Sequence, residues 1–150
     1  MLRLPATILH ETIRQLATCG AGDCECMMFW VGSVDDPESV VEWVHPAHHR
    51  SPYGCEIDGE WLNRYWFELA DNRHSLRAQI HTHPGLAFHS PTDDQWPVVS
   101  QPGFISIVVP YFGAGPVDMN AYWVGILHEN GRWLRADPSS VMEITHEKAT

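Results

Sequence analysis

The chain is poor in positive charge, carries few cysteines and has no long apolar run. Nine lysines and arginines stand against nineteen aspartates and glutamates, for a formal net charge of −10 over 150 residues. That balance argues against general binding to nucleic acid, which needs basic patches facing phosphate. It suits a partner with a basic face. No stretch is long and apolar enough to span a bilayer, so no membrane partner is expected. The N-terminus lacks the basic-then-apolar pattern of a signal peptide, and a cytoplasmic protein with reduced thiols is the expectation. The four cysteines, Cys19, Cys24, Cys26 and Cys55, do not make a four-thiolate metal pattern. On a strand, Cys24 and Cys26 share one face and Glu25 takes the other, which reads as buried thiols beside a glutamate. There is no internal repeat, low-complexity tract or second domain, so residues 1–150 read as one domain with a substantial core.

What is present is a regular alternation of helical and strand patterns. Pro5 to Cys19 reads as an amphipathic helix, with Ile8, Leu9, Ile13 and Leu16 on one face and Gly20 able to end it. Cys24 to Val31 reads as a buried strand and Val40 to His45 as a second. Pro46 to Tyr53 is a polar loop, and the neighbouring His45, His48 and His49 allow either a second metal site or, as preferred here, a solvated loop. Asp58 to Ala70 reads as a second helix, with Trp61, Tyr65, Trp66 and Leu69 in helical register. Phe104 to Pro110 is an apolar strand rich in β-branched residues. Tyr111 to Asn120 is a glycine-containing loop. Tyr122 to His128 and Arg132 to Arg135 read as a hairpin, with Asn130-Gly131 favouring a type I′ turn. The tail after Pro138 is expected to be peripheral. Together these predict an α+β fold, a mixed β-sheet flanked by helices. Most of the seven tryptophans belong in or just under its core.

The chemistry is concentrated between residues 81 and 93. Leu76 to His83 reads as a strand ended by Pro84. At a rise of about 3.3 Å per residue with alternating faces, His81 and His83 point the same way and Thr82 points the other. A carboxylate from a separate element completes a three-ligand zinc site. Ser90 is a good helix N-cap, Pro91 suits the first helical position and Asp93 falls at the third. Two nitrogens and one oxygen leave the fourth tetrahedral position open to water, the arrangement of a catalytic rather than a structural zinc. His-x-His by itself is a weak signal and Ser-x-x-Asp by itself is a capping motif. Their succession within thirteen residues points to metal-assisted hydrolysis.

Glu25 near an early strand, His81-Thr82-His83-Pro84, a short loop and Ser90-Pro91-Thr92-Asp93 together resemble the JAMM signature of JAB/MPN-domain metalloproteases. The resemblance extends over nearly the whole chain, with the metal motif its specific part. It implies the JAB/MPN fold, related to the cytidine-deaminase-like architecture. It implies one catalytic Zn2+ held by His81, His83 and Asp93, with Glu25 as general base and Ser90 as hydrogen-bond donor to the oxyanion. In many members the loop before the serine is one residue longer. A fixed count from His83 would then select Asp94, whereas the Ser-x-x-Asp register selects Asp93 and keeps the serine.

The chain is similar to the compact prokaryotic members of that family. The similarity implies a zinc isopeptidase or peptidase acting at the C-terminus of a ubiquitin-like protein, with E1-like or E2-like enzymes as possible pathway partners. Zinc lowers the pKa of bound water to about 7, which makes hydroxide available at neutral pH. Two other readings stand beside this one. The first is an amidase acting on a sulfur-carrier adduct or a small amide-linked molecule. The second is a non-catalytic MPN scaffold, which the complete motif opposes.

Overall fold

The structure is a computed structural model that describes residues 1–51, 54–88 and 98–146, apart from the side chains of residues 50 and 51. At its centre is a six-stranded mixed sheet. Its strands are β2 (Met27–Ser33), β3 (Glu42–Val44), β6 (His74–Thr82), β7 (Ile105–Val109), β8 (Trp123–Leu127) and β9 (Trp133–Arg135), in the order β3-β2-β6-β7-β8-β9. Within this sheet, among the described residues, only the β6–β7 pair is parallel. A two-stranded antiparallel ribbon, β4 (His48–Ser51) with β5 (Gly54–Ile57), stands apart from it.

Helices cover both faces because the central strand β2 is apolar on both. Alternate residues of β2 separate cleanly. Met28 and Trp30 face α1 (Ala6–Gly20), whose Ile8, Leu9, Ile13 and Leu16 complete that side. Phe29 and Val31 face α2 (Gly59–Asp71), which contributes Tyr65 and Leu69. Burying each such aliphatic side chain contributes about 1.5–3 kcal/mol before the entropy of ordering it is counted. The expected α+β fold, a mixed sheet flanked by helices, is the one observed.

Helix α2 starts as read, with Asp58 as N-cap accepting from the Trp61 amide at 2.9 Å. Helix α1 runs one residue further than read. Gly20 stays helical, and Ala21 supplies the left-handed C-cap at φ 50°, its amide bonded to the Ala17 carbonyl. The turn that follows uses the Cys24 amide on the Gly20 carbonyl at 3.0 Å. This holds Cys24 out of the sheet and delays β2 to Met27.

Three other expectations are corrected. The Asn130-Gly131 hairpin is not a type I′ turn, since of these two residues only Gly131 has positive φ, at 78°. The Gly131 amide bonds to the His128 carbonyl and the His128 amide to the Arg132 carbonyl. That is a three-residue loop ending in a left-handed glycine, the bulged alternative to a two-residue turn. The segment after Pro138 is not peripheral. It forms α3 (Pro138–Val141) and β10 (Met142–Thr145), which pairs in parallel with β1 (Leu2–Pro5) and buries Val141 and Met142. The Pro46–Tyr53 loop contains β4, and His48 is half-buried rather than solvated. No helix among the described residues is long and apolar enough to cross a membrane.

Candidate metal centre

The site grows from the C-terminal end of β6. Strand alternation places Gln79 and His81 on the α2 face, and Ala78 and Ile80 on the α1 face. His81 and His83 are both buried, with exposures of 4% and 6%. Their ring centroids lie 5.1 Å apart with the planes tilted by 55°. Two imidazoles on one tetrahedral zinc, with Zn–N near 2.0–2.1 Å, place their centroids about 5 Å apart. The pair therefore fits a shared ion. Thr82, fully buried, faces the other way, as the period-two reading requires.

Glu25 is brought to the same place by the neighbouring strand. Met27 pairs with His81 in the antiparallel β2–β6 register. One step on, the Thr82 amide donates to the Cys26 carbonyl at 3.1 Å and the Cys26 amide donates to Thr82 Oγ1 at 2.9 Å. Continuing that register by one more residue sets half-buried Glu25 level with His83. Its negative charge is felt by Cys55. Burial first, and Glu25 second, push the Cys55 thiol up to about 12, against a lowering hydrogen bond from the Met27 backbone. Cys55 therefore stays a neutral thiol at physiological pH and is a poor nucleophile.

The loop after β7 clamps the histidine turn from the far side. The His83 amide donates to the Val109 carbonyl at 3.0 Å. In return, the amides of Tyr111 and Phe112 donate to the carbonyls of Gly85 and His83. Tyr111 and Phe112 adopt φ of 55° and 54°, a left-handed conformation that costs roughly 1–2 kcal/mol per non-glycine residue. The interlocking hydrogen bonds hold them there. The start of the Tyr111–Asn120 loop is thus built against the metal strand. Leu86, Phe88 and Tyr111, on the two segments joined at the His83 turn, are exposed and give this end of the sheet an apolar rim. Phe88 meets the His83 ring edge-on at 4.7 Å between centroids.

The structure thus brings Glu25, His81 and His83 to one end of the β2–β6 pair. Ser90, Asp93, the alternative ligand Asp94 and the short helix read from Pro91 lie outside the described residues.

Thr82 joins the Glu25 segment to the histidine strand, and its contribution is measurable. Thr82→Val keeps the shape but strands the buried Cys26 amide, at a cost of about 1–3 kcal/mol. Urea unfolding should show the loss, and an unchanged midpoint would mean that the bond adds nothing.

A second cluster joins cysteines and histidines that the sequence reading kept apart. Cys19 and Cys26 were expected as reduced thiols, but they form a disulfide with Cα atoms 6.2 Å apart. The physical reason is that α1 ends directly over the sheet face to which Cys26 points. His45 and His48 lie against the two sulfurs. His49, read with them, is instead exposed and lies near half-buried Asp58 at 3.7 Å. The available signal was Cys-x6-Cys followed by His-x2-His nineteen residues later. That is far looser than the short spacings of recognised zinc motifs.

No family model matches the chain. It is 35% identical over 144 residues to the probable metalloprotease y4jG of Sinorhizobium fredii, spanning 93% of this chain and 88% of that protein. Its fold superposes on the solution structure of protein DSY2949 from Desulfitobacterium hafniense with a TM-score of 0.69, at 13% identity over 98% of this chain and 94% of that one. A Salinibacter ruber protein matches with a TM-score of 0.63, at 18% identity over 91% and 89% of the two chains. AF2198, a JAB1/MPN domain protein from Archaeoglobus fulgidus, matches with a TM-score of 0.50, at 15% identity over 99% and 98%. At those identities the structural likeness is one of fold, while the curated relative carries the kinship in sequence. The chain thus belongs to the family of that probable metalloprotease, and its fold is that of a JAB1/MPN domain protein.

Proposed function

We propose that the protein is a zinc-dependent isopeptidase or peptidase that hydrolyses the bond at the C-terminus of a ubiquitin-like protein, acting in the cytoplasm. The observation that carries this reading is the rim. Leu86, Phe88 and Tyr111 are 70%, 54% and 52% exposed beside a buried histidine pair. Exposed apolar side chains grouped around a catalytic group suit an extended segment of a protein substrate. They are a poor design for a small polar molecule, which is better held in an enclosing pocket. The net charge of −10 adds attraction toward a basic partner surface.

His81, His83 and Asp93 would hold the ion. When bound, zinc supplies Lewis acidity and a water nucleophile that is available at neutral pH. Glu25 accepts the proton as the water oxygen attacks the carbonyl carbon, then delivers it to the departing nitrogen as the carbon–nitrogen bond breaks. The Ser90 hydroxyl donates to the oxygen on which negative charge develops. The Leu86–Phe88 segment and Tyr111 orient the incoming chain and exclude water around the reacting bond.

The test uses zinc-loaded protein and a ubiquitin-like protein ending in Gly-Gly, joined by an isopeptide bond to a lysine peptide. Mass spectrometry should detect release of the free C-terminus, lost in Glu25→Gln. No release, alongside turnover of small amide-linked amino acids, would replace this reading with that of a small-molecule amidase. The ligand assignment has its own test. Asp93→Ala should lower bound zinc more than Asp94→Ala, measured by metal analysis after dialysis. The reverse order would move the ligand to Asp94.

A further inference from the structure

Cys19, Cys26, His45 and His48 come from four places in the chain and converge on one point. Cys19 lies in the last turn of α1, Cys26 just before β2, His45 just after β3, and His48 opens β4. Their candidate ligand atoms all lie within 4.8 Å of one another. Cys26 Sγ is 3.1 Å from His45 Nε2 and 3.9 Å from His48 Nε2, and Cys19 Sγ is 3.3 Å from His48 Nε2. A tetrahedral ion with Zn–S near 2.3 Å and Zn–N near 2.0–2.1 Å separates its ligand atoms by about 3.3–3.8 Å. The observed sulfur–nitrogen spans bracket that range. The His45 and His48 ring centroids, 4.9 Å apart, repeat the spacing of the His81–His83 pair.

The outer hydrogen bonds suit ligation. The Pro46 carbonyl can only accept, so His48 Nδ1–H donates to it at 2.8 Å, and the Nε2 lone pair is left facing the sulfurs. A ring N–H anchored on a backbone carbonyl is the usual support of a metal-binding histidine. His45 Nδ1 meets the Gln15 side-chain amide at 3.2 Å. Turning that amide over in the same space presents its oxygen, so that Nδ1–H donates and Nε2 again carries the lone pair.

We propose that these four residues form a second metal site that takes a zinc-class divalent ion as a Cys2His2 centre when the two cysteines are reduced. The disulfide and the metal are mutually exclusive occupants of the cluster. A low-molecular-weight thiol converts one to the other. Two thiols reduce the disulfide, giving two cysteine thiols and one small-molecule disulfide, and the two protons then leave as both sulfurs bind the ion. This centre lies on the α1 face of the sheet, opposite His81 and His83. It joins the end of α1, the start of β2 and the β3–β4 segment. Cys26 is the residue after Glu25 and hydrogen-bonds Thr82, so ligation at Cys26 fixes the segment that carries the glutamate.

The test is cobalt loading of the wild-type protein, reduced with a phosphine under anaerobic conditions. Sulfur-to-cobalt charge transfer in the near ultraviolet reports only on a thiolate site, and His81 and His83 contribute no sulfur. The expected result is two cobalt ions per chain and a clear charge-transfer band. His81→Ala/His83→Ala should lose one ion and keep the band. His45→Ala/His48→Ala should lose the other ion and most of the band. Adding oxidised glutathione to the wild type should abolish the band and release one equivalent, counted with a chromogenic chelator. A reduced wild-type protein without the band, or a band of full strength in His45→Ala/His48→Ala, would overturn the proposal. The wild-type measurements decide the matter even if a variant fails to fold.

Discussion

Glu25→Gln is expected to keep its bound metal and lose turnover by about 10²–10⁴-fold, the usual contribution of a positioned general acid–base group. The substitution is isosteric, and the amide cannot accept a proton from water. It should therefore remove the proton transfer without disturbing packing. The β2–β6 register sets Glu25 level with His83 and half-buried. The proposed chemistry assigns the histidine, not Glu25, to the metal. Metal analysis and a turnover assay on the isopeptide-linked substrate check the prediction together. Loss of metal and activity in parallel would make Glu25 a ligand, and retained activity would remove it from the reaction. A kcat decrease with little change in KM is the pattern expected of a group that acts in the transition state.

The largest effect on stability is expected at Trp30. Its side chain is 1% exposed at the centre of the α1–sheet interface. Its Nε1–H donates to Thr12 Oγ1 at 2.9 Å, and the Thr12 hydroxyl in turn donates to the Ile8 carbonyl at 2.6 Å. This chain of bonds fastens α1 to β2. Trp30→Ala opens a cavity that a close-packed interior cannot refill, at a cost of about 3–5 kcal/mol. For a chain of this size that lowers Tm on the order of 10 °C. Trp30→Phe keeps most of the volume and loses the N–H donor, so it should cost less, about 1–3 kcal/mol. Thermal unfolding followed by circular dichroism separates the two. Equal losses would mean that the hydrogen bond, not the packing, anchors the helix. A shift below about 2 °C in Trp30→Ala would show that the interface relaxes around the gap.

The elements that carry the site were readable because their cause is local. Period-two alternation put His81 and His83 on one face of a strand whatever its neighbours turned out to be. The apolar stripes of α1 and α2 announced helices, each with one buried face, and Asp58 announced where the second begins. The α+β class followed from that alternation of periods. Errors arose where two local solutions compete closely. Asn130-Gly131 serves both a two-residue turn and a bulged three-residue one, and the pairing of His128 with Arg132 selects the second. At the start of β2, the left-handed turn through Ala21 and Gly22 consumes residues that the apolar pattern had offered to the strand.

Local sequence alone fixes the two long helices, most strands of the central sheet, the shared face of the two histidines and the character of the chemistry. These depend on backbone periodicity and side-chain type, both encoded within a few residues. The tertiary structure alone sets Glu25 level with His83, because strand register comes from the pairing of β2 with β6, which are distant in the chain. It alone paired β1 with β10 across the length of the chain, turning a tail read as peripheral into core. It alone gathered Cys19, Cys26, His45 and His48, since no local rule brings the end of a helix, the start of a strand and a distant loop to one point. Such contacts form only after the entropy of closing long loops has been offset by packing elsewhere. That compensation belongs to the whole fold rather than to any one segment.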